Sequence, residues 1–302
     1  MVESKKIDNE NLLRLDLRCN MNCSFCNIHN SNEFFLSKEE MIRKIISLNN
    51  EENITITGGE PTLDLNLINY IKFAKKNNIK NIILQSNGTL FSSKIFTKKM
   101  ADAGLSRVFL SFHSYDKEIF EKITRLKGGY DLVLKGIENL LENDIGVVVN
   151  IVATKLNYKE ILETIKFLIN KFPKLKVQAD EKDLVLFSLS TVQPHGNALI
   201  NQKEIVPKLS DVSSYLISAM KFCVENNLRF TNPGCGVPFC FVKGYEKYSA
   251  EFSGINKEIL ITQKDKVKSD KCKNCKYDNF CQGIWKKYVN IYGFDEIIPF
   301  EK

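Results

Sequence analysis

The sequence has no long apolar run, no hydrophobic stretch behind its N-terminus and no cysteine between positions 27 and 222. Each absence excludes a class of protein. A membrane span needs roughly 20 consecutive apolar residues, whereas the longest candidates here are strand-length, such as Val147 to Val152. Met1 to Glu10 is polar and lacks the apolar region of a secretory signal. The nine cysteines are therefore expected as thiols of a reducing cytoplasm, not as a disulfide framework. Charge of one sign is also missing: 43 Lys and Arg are scattered among 36 Asp and Glu. A formal +7 spread in this way is a solvated surface that demands neither nucleic acid nor an anionic membrane. Only about eleven residues precede the first strand pattern, so no separate N-terminal recognition domain is expected.

The gap after position 26 makes the first cysteines informative. Cys19, Cys23 and Cys26 are spaced C-x3-C-x2-C directly after the apolar run Leu13 to Leu17. Each iron of a cubane [4Fe–4S] cluster wants one thiolate. Three local thiolates serve three irons and leave the fourth open to a ligand from outside the chain. A four-coordinate zinc site would need a further local partner that this stretch does not supply.

From residue 12 onward, short β-branched runs alternate with amphipathic segments, the pattern of parallel strands joined by crossover helices. Six strands are expected, at Leu13 to Leu17, Ile54 to Thr57, Asn81 to Gln85, Arg107 to Phe112, Gly146 to Val152 and Leu184 to Ser190. The first helix opens at Ser37, with Glu40 completing a capping box. Others are expected near Leu65 to Lys76, Ser93 to Ala103, Tyr130 to Glu142, Tyr158 to Lys171 and Asp211 to Asn226. The pattern weakens after residue 205, and residues 206–302 read as a helix plus a loop-rich, metal-stapled module.

Polar motifs follow the strand ends, where ligands gather in barrel-like α/β folds. The second strand ends in Gly58-Gly59-Glu60-Pro61-Thr62 and the third in Ser86-Asn87-Gly88-Thr89; either could be a plain turn. Ser111, His113, Asn150 and Asn157 follow or lie within the fourth and fifth strands, with Arg125 in the loop before the next helix. Gln193-Pro194-His195-Gly196-Asn197 forms a polar turn after the sixth. His29, His113 and His195 read as acid/base candidates or as structural histidines. The distal cysteines are spaced Cys235-x4-Cys240 and Cys272-x2-Cys275-x5-Cys281, which suits a zinc ribbon or an iron–sulfur site. Cys223, inside a helix pattern, reads as a buried thiol.

With Phe25 before its third cysteine, the triplet resembles the signature of radical S-adenosylmethionine (SAM) enzymes, and Gly58-Gly59-Glu60 resembles that family's GGE motif. The resemblance implies an α/β fold, a partial (β/α)6 TIM-type barrel over residues 1–205. It makes Cys19, Cys23 and Cys26 ligands of a [4Fe–4S] cluster whose open iron binds SAM, the source of a 5′-deoxyadenosyl radical. The backbone from Phe25 to Ile28 would face adenine, and Gly58, Gly59 and Glu60 the methionyl amino group. Ser86, Asn87, Ser111, Arg125 and Asn150 would supply further contacts to SAM. The distal cysteines resemble the SPASM/twitch extension, but the fourth cysteine of its full pattern is replaced by Trp285. One auxiliary [4Fe–4S] cluster is therefore expected, on Cys240, Cys272, Cys275 and Cys281. Cys235 is then a catalytic hydrogen donor near the active site or a swapped ligand. The implied function is an oxidoreductase-type enzyme that modifies a peptide or protein side chain, with a flavodoxin or ferredoxin as electron donor. The second reading is a small-molecule dehydrogenase or cofactor-biosynthesis enzyme, and the third a non-catalytic iron–sulfur or zinc protein.

Overall fold

The computed structural model describes residues 11–28, 35–182, 184–255 and 265–301. Its elements begin with β1 (Leu12–Arg14), α1 (Lys38–Ser47), β2 (Asn53–Thr57), α2 (Leu67–Lys76), β3 (Asn81–Ser86), α3 (Lys94–Ala103) and β4 (Arg107–Ser111). They continue with α4 (Lys117–Thr124), α5 (Gly129–Glu142), β5 (Gly146–Ala153), α6 (Ile161–Lys171), α7 (Lys174–Glu181) and β6 (Phe187–Thr191). The remainder comprises α8 (Gly196–Ile200), α9 (Gln202–Ile205), α10 (Leu209–Glu225), β7 (Phe230–Thr231), α11 (Ala250–Ile255), β8 (Lys266–Val267), β9 (Ile284–Trp285) and α12 (Lys286–Tyr292).

Seven strands form one sheet in the order β1-β2-β3-β4-β5-β6-β7. The pairings of β1 with β2, β2 with β3, β3 with β4, β5 with β6, and β6 with β7 are parallel. Strand order follows chain order without reversal, as in (β/α) barrels and unlike doubly wound sheets, which reverse at a switch point. The expected α/β architecture is present, as an open sheet with β1 and β7 as end strands. The seventh strand was not expected, because two residues are too few to show a period. It adds to β6 through Phe187 opposite Phe230 and Ser188 opposite Thr231.

The residues group into two compact units that interleave along the chain. The first comprises Met1–Met21, Asn32–Ser111 and Gly128–Val148. Its strands bury Leu13, Ile54, Ile56, Ile82, Leu84, Val108 and Leu110, and its helices cover them with Met41, Ile45, Ile71, Met100 and Ile137. The capping box of α1 forms as expected: Ser37 N donates to Glu40 Oε2 at 2.8 Å and Glu40 N to Ser37 Oγ at 3.2 Å. The expected first strand, Leu13 to Leu17, is regular only to Arg14, yet its backbone stays paired beyond that point. Leu15 N donates to Thr57 O, Gly59 N to Asp16 O and Glu60 N to Arg18 O.

The second unit comprises Asn22–Ser31, Phe112–Lys127 and Val149–Lys302. Val149, Ile151, Phe187 and Leu189 form its strand core, against Ile165, Leu168, Val212 and Leu216 from α6 and α10. Six of its described helices, α4, α7, α8, α9, α11 and α12, were not expected. Asp116 starts α4 by accepting from Ile119 N at 3.0 Å. Arg125, expected in a loop, is the left-handed residue that ends this helix, with φ 54°. Cys223 is fully buried in α10, and burial pushes its thiol up to about 12, as a structural cysteine requires. The C-terminal part holds the antiparallel pair β8 and β9. Among the described residues no helix is long and apolar enough to cross a membrane. His29 lies outside the described residues.

Candidate functional site

In the first unit, the ends of β2 and β3 are joined to the cysteine segment by a hydrogen-bonded chain. Glycine is needed at 58 and 59 because of close backbone approach: a Cβ at Gly58 would stand 2.5 Å from Asp16 O, and one at Gly59 would collide with Leu17 O and Arg18 O. This approach brings the Gly-Gly-Glu turn against the backbone that leads into Cys19. Glu60 is 2% exposed. Its Oε1 accepts from Thr62 N at 3.0 Å, Thr62 Oγ1 at 2.6 Å and Ser86 Oγ at 2.8 Å, and its Oε2 accepts from Asn87 N at 2.6 Å. Burial pushes the Glu60 carboxyl above the usual range, while these donors pull it down. Asn87 Nδ2 donates to Asn20 Oδ1 at 2.8 Å and lies 3.8 Å from Cys19 Sγ, which also accepts from Met21 N at 3.4 Å. Glu60, Ser86 and Asn87, all expected to touch SAM, therefore organise one another and the first cysteine. Ser111 ends β4, half-buried.

In the second unit, the segment from Asn22 to Cys26 has no regular secondary structure, yet its backbone is well bonded. Ser24 N and Oγ both donate to Ile123 O, at 2.8 and 3.1 Å, and Cys26 N closes a turn onto Cys23 O at 3.1 Å. Phe25 packs edge-on against His113 with centroids 4.8 Å apart. His113 is 2% exposed, and its Nδ1 accepts from Val152 N at 3.3 Å. Desolvation drives its pKa down to about 3. His113 is thus a neutral packing histidine and not an acid/base near neutral pH. Ile28 is half-buried beyond the third cysteine. Asn150 lies in β5 opposite Ser188. Arg125 is exposed at the end of α4. Asn157 donates to His113 O at 2.6 Å and Val152 O at 3.0 Å, a structural use of its amide.

Also in this unit, Cys240, Cys272, Cys275 and Cys281 line one pocket of about 440 Å³, mouth included, with Phe239, Ile284 and Phe300 among its walls. Burial pushes the Cys240 thiol up to about 12, with the neighbouring cysteines adding to the shift, and it also raises Cys272 and Cys281. These four cysteines are thus brought to one pocket, where thiolates could serve as metal ligands. Among the described residues no three Cys, His, Asp or Glu side chains converge to hold a single metal ion. Cys281 Sγ accepts from Gly283 N at 3.4 Å. Gly283 has φ 89°, and a Cβ there would strike Val267 O.

Cys235 is not among the residues lining that pocket. Its thiol is hydrogen-bonded with the Gln193 side chain and raised chiefly by burial, with Lys266 lowering it. The sequence did not single out Lys266 and Glu251, a pair separated by 2.9 Å whose side chains are 2% and 7% exposed. Lys266 also donates to Gly234 O at 2.7 Å, which ties the Cys235 loop to β8. His195, read as a loop histidine, stands edge-on to Trp285 at 5.3 Å, with Lys287 Nζ 3.4 Å from its Nδ1. The Trp285 indole nitrogen is buried without a hydrogen-bond partner.

Residues 17–168 match the model of the Radical SAM superfamily. A probable GTP 3′,8-cyclase from Sulfurisphaera tokodaii is 33% identical over 156 residues, covering 50% of this chain and 49% of that protein. A GTP 3′,8-cyclase from Clostridium perfringens is 32% identical over 164 residues, covering 51% and 50%. The chain thus aligns with about half the length of these curated relatives. In fold, Streptococcus suis SuiB bound to S-adenosylmethionine matches with TM-score 0.64 and 18% identity over 96% of this chain and 76% of SuiB. His-tagged anSMEcpe with bound AdoMet matches with TM-score 0.61 and 17% identity over 96% and 89%. The chain belongs to the radical SAM superfamily, which implies a [4Fe–4S] cluster and SAM.

Proposed function

We propose that this chain is a radical SAM enzyme of cofactor biosynthesis, with a purine nucleotide as the first substrate class to test. The observation that carries the reading is the likeness of half of the chain to proteins named GTP 3′,8-cyclase. Peptide maturation, expected first from the sequence, has no support in those names. The likeness to SuiB and anSMEcpe, at 18% and 17% identity, speaks for the fold alone. A cyclase joins two atoms of one substrate, so the oxidoreductase expectation gives way with it.

On this reading Cys19, Cys23 and Cys26 hold the SAM-binding cluster, and residues 206–302 form a module whose Cys240, Cys272, Cys275 and Cys281 hold an auxiliary one. When bound, the first cluster and SAM supply the 5′-deoxyadenosyl radical that takes hydrogen from the substrate. Asn87 and the Met21 amide direct N–H groups at Cys19 Sγ, and hydrogen bonds to ligand sulfurs tune reduction potential. The apolar walls around the distal thiols keep water from the second site. We assign Cys235 to the substrate side, because Gln193 bridges it to Asn27 of the cysteine segment through a 3.3 Å hydrogen bond. A flavodoxin or ferredoxin is the electron donor that this chemistry calls for.

The test is anaerobic turnover with dithionite, SAM and GTP deuterated at C3′. Deuterium in the 5′-deoxyadenosine product supports the nucleotide reading. Unlabelled 5′-deoxyadenosine from GTP, with transfer instead from a deuterated cysteine-bearing peptide, would restore peptide maturation.

A further inference from the structure

The polar turn after β6 continues into α8, and its asparagines reach the cysteine loop. Asn197 N donates to Cys26 O at 2.8 Å. Asn197 Nδ2 donates to Cys23 O at 2.9 Å and to Asn22 Oδ1 at 3.1 Å. Asn201 Nδ2 donates to Ser24 O at 2.9 Å and to Asn197 O at 2.9 Å. From the end of α4, Thr124 O and Ile123 O accept from Asn22 N at 3.3 Å and Ser24 N at 2.8 Å. A segment without helix or strand is thereby held from both sides.

The carbonyls of Cys23, Ser24 and Cys26 are all engaged by these two asparagines. Fixing a carbonyl fixes its peptide plane, and successive planes set the direction of the Cα–Cβ bond between them. The residue type matters too. The Asn197 side chain, on a residue 5% exposed, uses both amide protons on oxygen acceptors. An ionised aspartate has no proton to donate, and leucine has no polar group at all.

We propose that Asn197, supported by Asn201, is a positioning residue for the SAM-cluster loop, holding its backbone in the conformation that presents Cys23 and Cys26 to a common cluster. The inference rests on the functional reading above in so far as this loop holds that cluster. Asn197 touches neither cofactor nor substrate in this role; it acts through the peptide planes of the loop.

The test uses the full chain with two substitutions. Asn197→Asp keeps side-chain size and the backbone bond to Cys26, but removes both donated protons and sets a carboxylate against two oxygens. Asn201→Ala removes only the bonds to Ser24 and Asn197. In iron-free, reduced protein, the alkylation rates of Cys23 and Cys26 are compared with that of Cys19. In reconstituted protein, the SAM dissociation constant and the electron paramagnetic resonance of the reduced cluster are measured, with thermal unfolding as the check on folding. For Asn197→Asp the expected result is faster alkylation of Cys23 and Cys26, a changed resonance and a SAM dissociation constant raised about tenfold, the worth of two hydrogen bonds. For Asn201→Ala it is a rise of about threefold, the worth of the one bond to the loop. Wild-type alkylation, resonance and affinity in Asn197→Asp would overturn the proposal, as would the same result in Asn201→Ala should the first variant not fold. Equal acceleration at all three cysteines would also overturn it, by marking Asn197 as a general folding residue. Failure of the wild-type chain to take iron at the triplet would defeat the functional reading, whereas the iron-free alkylation still decides the role of Asn197.

Discussion

Replacing Glu60 with Gln tests the network at the ends of β2 and β3. The side chains are nearly equal in size, so packing is preserved and only hydrogen bonding changes. Oε1 faces three donor contacts and Oε2 faces the Asn87 amide at 2.6 Å. An amide group has one oxygen. If that oxygen takes the Oε1 position, the NH2 group confronts Asn87 N–H, and both donors are left unpaired in a buried place. A hydrogen bond to a charged group is worth roughly 1.5–3 kcal/mol, and an unsatisfied buried donor costs about 1–3 kcal/mol. Discounting for relaxation, Glu60→Gln should cost about 2–4 kcal/mol, against about 1 kcal/mol for Thr62→Val, which removes only the 2.6 Å hydroxyl contact. At about 2–4 °C per kcal/mol for a chain near this size, the melting temperature should fall by about 5–15 °C. Thermal and urea unfolding of the iron-free protein measure both variants. Because Asn87 also reaches Cys19, iron at the first site should fall in Glu60→Gln. A Glu60→Gln midpoint equal to that of Thr62→Val would refute the reasoning.

Three other outcomes follow from particular residues. His113 is neutral in the fold with its pKa near 3, below the unfolded value, so its contribution is fully present above about pH 6.5 and is lost as pH falls toward 3. Between pH 7 and 5.5 the wild type should lose about 1.3 kcal/mol that His113→Gln does not lose, as read by urea unfolding at each pH. Gly59→Ala should lower the melting temperature and first-site iron far more than Gly244→Ala, since a Cβ at Gly244 meets nothing within 4 Å; equal effects would contradict the close approach to residues 17 and 18. Iron analysis should show that Cys240→Ala loses auxiliary iron while Cys235→Ala retains it, because only Cys240 lines the four-thiol pocket.

Much of this arrangement could be read from the sequence because periodicity and spacing are local signals. The β-branched runs around Ile54, Ile82 and Val108 became strands, and the Ser37 to Glu40 capping box formed as read. The strand-end motifs lie at the ends of β2 and β3, but the hydrogen bonds that link them to each other were not legible. The bond from Ser86 to Glu60, 26 residues apart in sequence, was not read. β7 escaped because two residues carry no period, and its pairing depends on β6 being in place. The Lys266–Glu251 pair and the Asn197 bonds were illegible for a related reason: neither residue type nor spacing announces a contact between remote loops. Cys235 was read apart from the four auxiliary ligands, and it does not line their pocket, but its hydrogen bond with Gln193 was illegible in the sequence.

On the proposed reading Cys19, Cys23 and Cys26 hold a cluster that makes SAM reactive, and the distal cysteines hold their own. The most direct test is anaerobic reconstitution of the wild type and of the Cys19→Ala, Cys23→Ala, Cys26→Ala triple variant, followed by iron analysis and assay of 5′-deoxyadenosine. About eight irons per chain with SAM cleavage are expected in the wild type, and about four irons with no cleavage in the variant. Stoichiometric zinc in place of iron, or cleavage undiminished in the variant, would contradict this reading.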